Sequence, residues 1–317
     1  MDWNNDSNIS GYISVKAANL HLSAHGPRRA PGDPIVICEA GHGASGAYWL
    51  GVQKRASEFV RVYTYDRAGY GRSTPGQGPR SASVLADELS TLLDRAGVPG
   101  PYLILCHSWG GVIAREFLAS RNSEVSGIIF VDIITERMFD GAVPPLPEYL
   151  VVGGEFDSHQ TIGTDKNHKL EAEDWQQVLD VGSHTGATWA LEKESLKQSA
   201  AELAAKNQIS TQAMGSRPVV VIKGNATKDI RLITEAGMAA GNGTKDQQNA
   251  LLQWMKNSEA TREAHQRELL KLSSCSRFVV AEKSGHSVQL TEPDLVVAEI
   301  KWMLSQIAGQ SNLTPSQ

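Results

Sequence analysis

The chain has no long run of either charge, and its formal net charge is only −5, from 35 acidic against 30 basic side chains. Without a basic stripe it lacks the electrostatic means to hold nucleic acid or an anionic membrane, so neither is an expected partner. Cysteine is scarce: Cys38, Cys106 and Cys275 are the three. They lie in or beside apolar runs with no metal-ligand spacing and read as reduced core residues, so no metal is expected. No apolar segment approaches the length of a membrane span, and Met1 to Ser10 lack the basic-then-apolar pattern of a signal peptide. The tail from Ser311 to Gln317 carries no targeting signal either, and a cytoplasmic setting is the expectation. Repeats and low-complexity tracts are missing too. What remains is length: 317 residues can bury a sizeable core and suit one large domain with an insertion.

One stretch organises the rest. Tyr102 to Cys106 is an apolar run of strand length, and Gly110-Gly111 opens a helix carrying Val112, Ile113, Phe117 and Leu118. Ser108 sits at the joint. A strand turning this tightly into a helix holds its central residue in a sparsely populated conformation and pushes the side chain out of the sheet. The same turn leaves the amide of Trp109 free at a helix N-terminus, where it can donate to a developing oxyanion.

Around this stretch the pattern alternates strand and helix, as in a right-handed, mostly parallel sheet. Residues 11 to 26 alternate apolar and polar as an antiparallel edge hairpin, with His21 and His25 as exposed edge histidines. PIVICEA (Pro34 to Ala40) reads as a buried parallel strand and runs into the glycine loop Gly41 to Gly46. Val60 to Tyr65 is the next strand, and Asp66 and Arg67 after it read as solvated or locally paired turn residues. Ser83 to Ala96 predicts a helix with Leu85, Leu89, Leu92 and Leu93 on one face, ended by Gly97. SGIIFVD (Ser126 to Asp132) is a buried strand that ends in a carboxylate. The alternation then breaks between residues 133 and 216, where helical patterns surround Trp175 to Leu179 and Trp189 to Lys206. His159, His168 and His184 have no mutual metal spacing and read as surface residues. Arg217 to Gly224 resumes the sheet, Gly241 to Asn249 reads as a mobile loop, and a helix follows from about Asn249 to Leu272. On it His265 lies among Arg262, Glu263 and Arg267, read as a solvated face. Phe278 to His286 is the last strand with its loop, before a closing helix from Asp294 to Ile307.

The string CHSWGG (Cys106 to Gly111) resembles the nucleophile elbow of the α/β-hydrolase fold, G-x-S-x-G, with Cys106 at the first glycine. The resemblance extends to EAGHGASGAYW (Glu39 to Trp49), YDRAGYGRS (Tyr65 to Ser73) and SGHSVQLTEPD (Ser284 to Asp294), and so covers nearly all the chain outside residues 133–216. It implies an α/β class protein of the α/β-hydrolase fold, with a mostly parallel central sheet flanked by helices and an inserted helical lid. Residues 1–132 and 217–317 would form the core and 133–216 the lid, with Trp175 and Trp189 as candidate pocket walls. The loop after the strand at Pro34 to Ala40 would supply a second oxyanion amide at His42, with Gly41 as the flexible residue before it.

A serine hydroxyl needs a base to take its proton, and neutral imidazole serves near pH 7. His286, in a loop of small residues after the last strand, alone of the nine histidines matches the family's position for that base. The acid that orients it should lie at a strand end ahead of His286, and by chain order it is either Asp132 or Asp229. Asp132 directly ends its strand, an arrangement that resembles fungal lactone hydrolases of the zearalenone-hydrolase kind, and is favoured. Asp229 is the alternative acid, separated from its strand by Gly224 to Lys228. The expected activity is hydrolysis of an ester or lactone of a small, fairly apolar molecule through an acyl-enzyme, without metal or organic cofactor. Ser108 excludes the epoxide hydrolase and haloalkane dehalogenase variants, which need a carboxylate there. The same side chains also suit a lyase or an enzyme breaking a carbon–carbon bond, and the fold also serves receptors and binding modules. The expected partner is a small-molecule substrate, and a homodimer is compatible with this reading.

Overall fold

Buried β-branched and aliphatic runs make the strands, and the loops between them set their order. The computed structural model describes residues 1–155, 157–180 and 182–311. The tail read above for targeting signals lies outside the described residues from residue 312 onward. The strands are β1 (Asn8–Val15), β2 (Ala18–His25), β3 (Ile35–Glu39), β4 (Val62–Tyr65), β5 (Tyr102–His107), β6 (Val125–Val131), β7 (Val219–Lys223) and β8 (Ser276–Val280). They form one sheet in the order β1-β2-β4-β3-β5-β6-β7-β8. β1 pairs antiparallel with β2, and β2 with β4, whereas every later pairing is parallel. β1 alternates exposed and part-buried positions as an edge strand does, while β3, β5 and β7 are buried along their whole length.

Helices α1 (Leu50–Ala56), α2 (Ala82–Ala96) and α3 (Gly110–Ser120) alternate with the first strands. Between β6 and β7 stand α4 (Leu146–Gly153), α5 (Ser158–Ile162), α6 (Thr164–Asn167), α7 (Ala172–Leu179) and α8 (Thr185–Ala205). After β7 come α9 (Ala226–Ala239), α10 (Lys245–Glu268), α11 (Val288–Thr291) and α12 (Pro293–Ser311). α2 buries Leu85, Leu89, Leu92 and Leu93 on one face of the sheet with α3, and α1 and α12 cover the other. Each such leucine contributes about 1.5–3 kcal/mol relative to exposure. Leu203 of α8 and Met214 join the same core, so the long interruption is anchored to the sheet before β7 begins. No described helix is long and apolar enough to cross a membrane.

Four sequence expectations change. Gly241 to Asn249 is no mobile loop: Thr244 and Gln247 exchange side-chain to backbone hydrogen bonds as a capping box, and this starts α10 at Lys245. The face of α10 read as solvated is buried at Arg262, His265 and Gln266. It lies over the strand tips. Asp66 and Arg67 are buried rather than solvated, with Asp66 accepting the amides of Gly46 and Arg72. His21 and His25 are half-buried on β2, and His21 lies 3.6 Å from Asp66.

Candidate active site

Ser108 joins β5 to α3 with φ +53, a left-handed conformation rare for a side-chain-bearing residue. Its amide donates to the Val131 carbonyl and its carbonyl accepts from Ile134 and Gly111, which locks the bend. Cys106, two residues earlier, is buried within β5, and its thiol points to the Ile129 carbonyl at 3.5 Å.

His286 comes from the loop after β8. Its Nδ1 lies 2.6 Å from Asp132 Oδ2 and its Nε2 2.9 Å from Ser108 Oγ. Asp132 is the first residue after β6, with φ +39. Burial works to raise its pKa, but the Arg262 guanidinium and the hydrogen bonds from His286 and Gln266 outweigh it and hold the carboxyl well below the usual range. An ionised Asp132 can only accept, so Nδ1 carries the proton and Nε2 is left to accept the serine hydroxyl. The carboxylate is fully engaged: Oδ1 takes the Gly224 amide at 3.2 Å and Gln266 Nε2 at 2.9 Å, and Oδ2 takes Arg262 Nη2 at 3.3 Å besides the imidazole.

Asp229, in the first turn of α9, also reaches His286, but at the backbone: its Oδ2 accepts the His286 amide at 2.7 Å. Burial pushes its pKa up, only partly offset by that amide and the imidazole. The contact leaves no room on the neighbouring residue, since a Cβ on Gly285 would lie 2.0 Å from the Asp229 carboxylate.

His42 and Trp109, read as oxyanion donors, both flank the cavity that Ser108 lines. Among the described residues neither the Trp109 nor the His42 amide has a backbone acceptor. The backbone before His42 is pinned from below by Arg67, which donates to the carbonyls of Ala40 and Gly41, each at 2.7 Å. Burial opposes the charge of Arg67, but Glu192 and Glu39 more than compensate and keep it protonated. Gly41 is glycine for space rather than for flexibility: a Cβ there would lie 2.9 Å from His107 Nδ1 and 3.1 Å from Ser108 Cβ. The positive φ of the loop belongs to Gly43, at +77.

A cavity of about 370 Å³ opens over Ser108. Neither tryptophan read as a pocket wall lines it. Trp189 stacks on the His42 ring at 5.1 Å and accepts that ring's Nε2–H on its carbonyl, while Trp175 packs behind His159. His159, read as a surface residue, does line the cavity.

Several site residues escaped the sequence. His107 donates from Nε2 to the His286 carbonyl at 3.0 Å, and burial beside His286 pushes its pKa down to about 3, so its ring is neutral. Arg262 and Gln266 are four apart on α10 and reach Asp132 together. A signal for them existed: Leu251, Met255, Ser258, Arg262 and Gln266 follow one helical stripe, apolar at Leu251 and Met255 and polar where it meets the site.

Comparison with known proteins agrees with this architecture. A family model described as "Alpha/beta hydrolase family" matches residues 35–299. An "AB hydrolase superfamily protein" of Gibberella zeae is 32% identical over 304 residues, covering 91% of this chain and 93% of that protein. "Probable transporter efuK" of Hormonema carpetanum is 32% identical over 320 residues, covering 98% of this chain. The chain spans only 45% of that relative's length. Among solved structures, a thermophilic esterase from Thermogutta terrifontis superposes with a TM-score of 0.61 at 18% identity, covering 94% of this chain and 99% of the other. Haloalkane dehalogenase DbeA from Bradyrhizobium elkani USDA94 gives 0.62 at 14% identity, with 96% and 100% covered. Identities this low show a shared fold and nothing about substrate.

Proposed function

The chain belongs to the alpha/beta hydrolase family, and on that premise we propose that it is a serine hydrolase cleaving an ester or lactone of a small, fairly apolar molecule. The observation that carries this reading is the His286 ring, with Ser108 Oγ on one nitrogen and Asp132 on the other. In the proposed reaction Ser108 Oγ attacks the carbonyl carbon as its proton passes to His286 Nε2. Asp132 stabilises the resulting imidazolium. The carbonyl oxygen, now negative, takes the amides of Trp109 and His42, a type of contact worth about 10²–10³ in rate per donor. The tetrahedral intermediate collapses, the carbon–oxygen bond of the alcohol breaks, and His286 returns the proton to the leaving oxygen. Water, deprotonated by His286, then attacks the acyl-serine and releases the acid and the free enzyme.

Two finer points belong to the same proposal. The acid one strand after the nucleophile, at Asp132, resembles the arrangement in lactone hydrolases of the zearalenone-hydrolase kind, which favours a lactone among the ester substrates. Residues 133–216 act as a cap, since Ile134, Met138, Val143 and Leu146 from this stretch line the cavity over Ser108.

The test is labelling with a fluorophosphonate probe followed by product analysis on a panel of esters and lactones. The expected result is one covalent adduct on the wild type and none on Ser108→Ala, with release of free acid only by the former. A folded wild type that takes no label and releases no acid would refute the proposal and favour a binding module.

A further inference from the structure

The wall of the cavity is mostly apolar, with Ile134, Met138, Val143, Leu146, Ile230 and Ile233 among its residues. Both ions in the wall already have partners. Arg262 donates to Asp132 and to the Ala142 carbonyl, and Asp229 accepts the His286 amide. Arg262 is engaged by Asp132, so an anionic ligand would lose its hydration here with no free cation to replace it, and the apolar lining favours an uncharged molecule.

Away from the reactive loops the uncharged polar side chains of the wall are Tyr48, Tyr149, Ser158 and His159, and of these Tyr48 and His159 are hydrogen-bonded to each other. Tyr48 Oη lies 3.2 Å from His159 Nε2. Both groups are neutral: burial pushes the Tyr48 phenol up to about 12 and the His159 imidazole down. The pair is held firmly from both sides. Tyr48 belongs to the 3-10 turn Gly46–Trp49 that follows the oxyanion loop, and this turn is tied by the Gly46 amide to Asp66 at 2.8 Å and by the Ala47 amide to the Ser45 side chain at 3.3 Å. His159 meets the Trp175 ring edge-on at 5.1 Å, and Trp175 in turn stacks on His168 at 4.1 Å. None of these aromatic contacts has a task in the hydrolysis described above.

A phenol has one proton and two lone pairs, and the bond to His159 uses one of them. If Tyr48 donates to Nε2, its oxygen can still accept; if Nε2–H donates to Tyr48, its O–H can still donate. A hydroxyl on the ligand satisfies either arrangement, because it is both donor and acceptor. The loop that carries the His42 amide runs directly into the turn that carries Tyr48, so the separation between scissile carbonyl and this contact is set by the backbone.

We propose that Tyr48, positioned by His159, is a second recognition point selecting neutral substrates that carry a hydroxyl remote from the scissile carbonyl. The proposal rests on the serine hydrolase reading for the identity of the reacting end.

The experiment compares methyl ω-hydroxyalkanoates, graded one carbon at a time, with the matching esters in which a methyl group replaces the hydroxyl. The wild type should prefer the hydroxyl ester by about fivefold to tenfold in kcat/KM at one chain length, the size of one neutral hydrogen bond. Tyr48→Phe should bring that ratio to about one. His159→Leu should lower it, and His159→Gln, which keeps a hydrogen-bonding group, should retain part of it. No preference at any length, or the same preference in Tyr48→Phe, overturns the proposal. If the wild type turns over none of the esters, the hydrolase reading fails instead, and the same pairs are titrated into Ser108→Ala by calorimetry. A hydroxyl preference in Kd that Tyr48→Phe abolishes in that background then supports the recognition point, and its absence refutes it.

Discussion

Asp132 and Asp229 stand beyond the tips of neighbouring strands and touch the same histidine, one at the ring and one at the backbone. Their surroundings differ in kind. Asp132 has a guanidinium, a side-chain amide and a backbone amide besides the imidazole, and its pKa is held down. Asp229 has one backbone amide and is otherwise buried, and its pKa is pushed up. Chain order alone admits either as the acid. Counter-charge separates them: a carboxylate meant to stabilise an imidazolium must stay ionised beside it, and only Asp132 has the cation and donors to do so at little cost.

The largest expected effect that would sharpen or break this contrast is on turnover. Asp132→Asn should lower kcat by about 10⁴-fold through the wrong imidazole tautomer, with the fold intact by circular dichroism. Asp229→Asn, whose amide oxygen can still accept the His286 N–H, should lose about tenfold or less. The reverse order would make Asp229 the acid. Next comes Arg262→Met, which strips the buried Asp132 of its cation and should cost about 3–5 kcal/mol in denaturant unfolding at neutral pH. The pH dependence has a definite sign. Because the folded pKa of Asp132 is depressed, its contribution is present above the ordinary carboxylate range and is lost as pH falls through the folded value. Arg262→Met raises that value towards the unfolded one, so the variant should lose less stability on acidification than the wild type, and the gap between the two should narrow as pH falls.

A smaller effect is expected at Gly285. A methyl group there would press on the Asp229 carboxylate, so Gly285→Ala should destabilise by about 1–3 kcal/mol, and adding Asp229→Ala should recover most of that loss in thermal melts. The smallest effect is again at Asp229. Its folded pKa is raised, so it favours the folded state at low pH and loses that advantage as pH rises through the folded value. Asp229→Asn should therefore gain slightly in stability at neutral pH, with the difference from wild type vanishing on acidification. A loss at neutral pH would mean that the amide contact outweighs burial of the charge.

The strands and the elbow were legible because local physics writes them. Apolar runs of strand length mark β3, β5 and β7, and small residues around Ser108 mark the turn. The sequence also brought Ser108, His286 and both carboxylates into view, though not the way they share the histidine. What supports them was hidden by distance. His107 sits inside the elbow motif, yet its partner is a carbonyl 179 residues away, and nothing local announces such a bond. Arg262 read as solvated because charged helical residues usually are, and its target, Asp132, is 130 residues earlier; Gln266, beside it, drew no reading at all. Arg67 misled for the same reason: its partners are Glu39 and Glu192, far to either side. Trp175 and Trp189 show the converse. Large aromatics in an insertion invite assignment to the substrate, and here they buttress His159 and His42 instead.

The reach of α10 and of the loop after β8 back to the tip of β6 has a consequence during synthesis. The ribosome completes Ser108 and Asp132 well before it has made Arg262, Gln266 or His286. A nascent polypeptide that has folded only its first half therefore presents a hydroxyl with no base to activate it. On the proposed mechanism the serine gains its base only when the last third of the chain docks, so an unfinished product would carry no activated nucleophile.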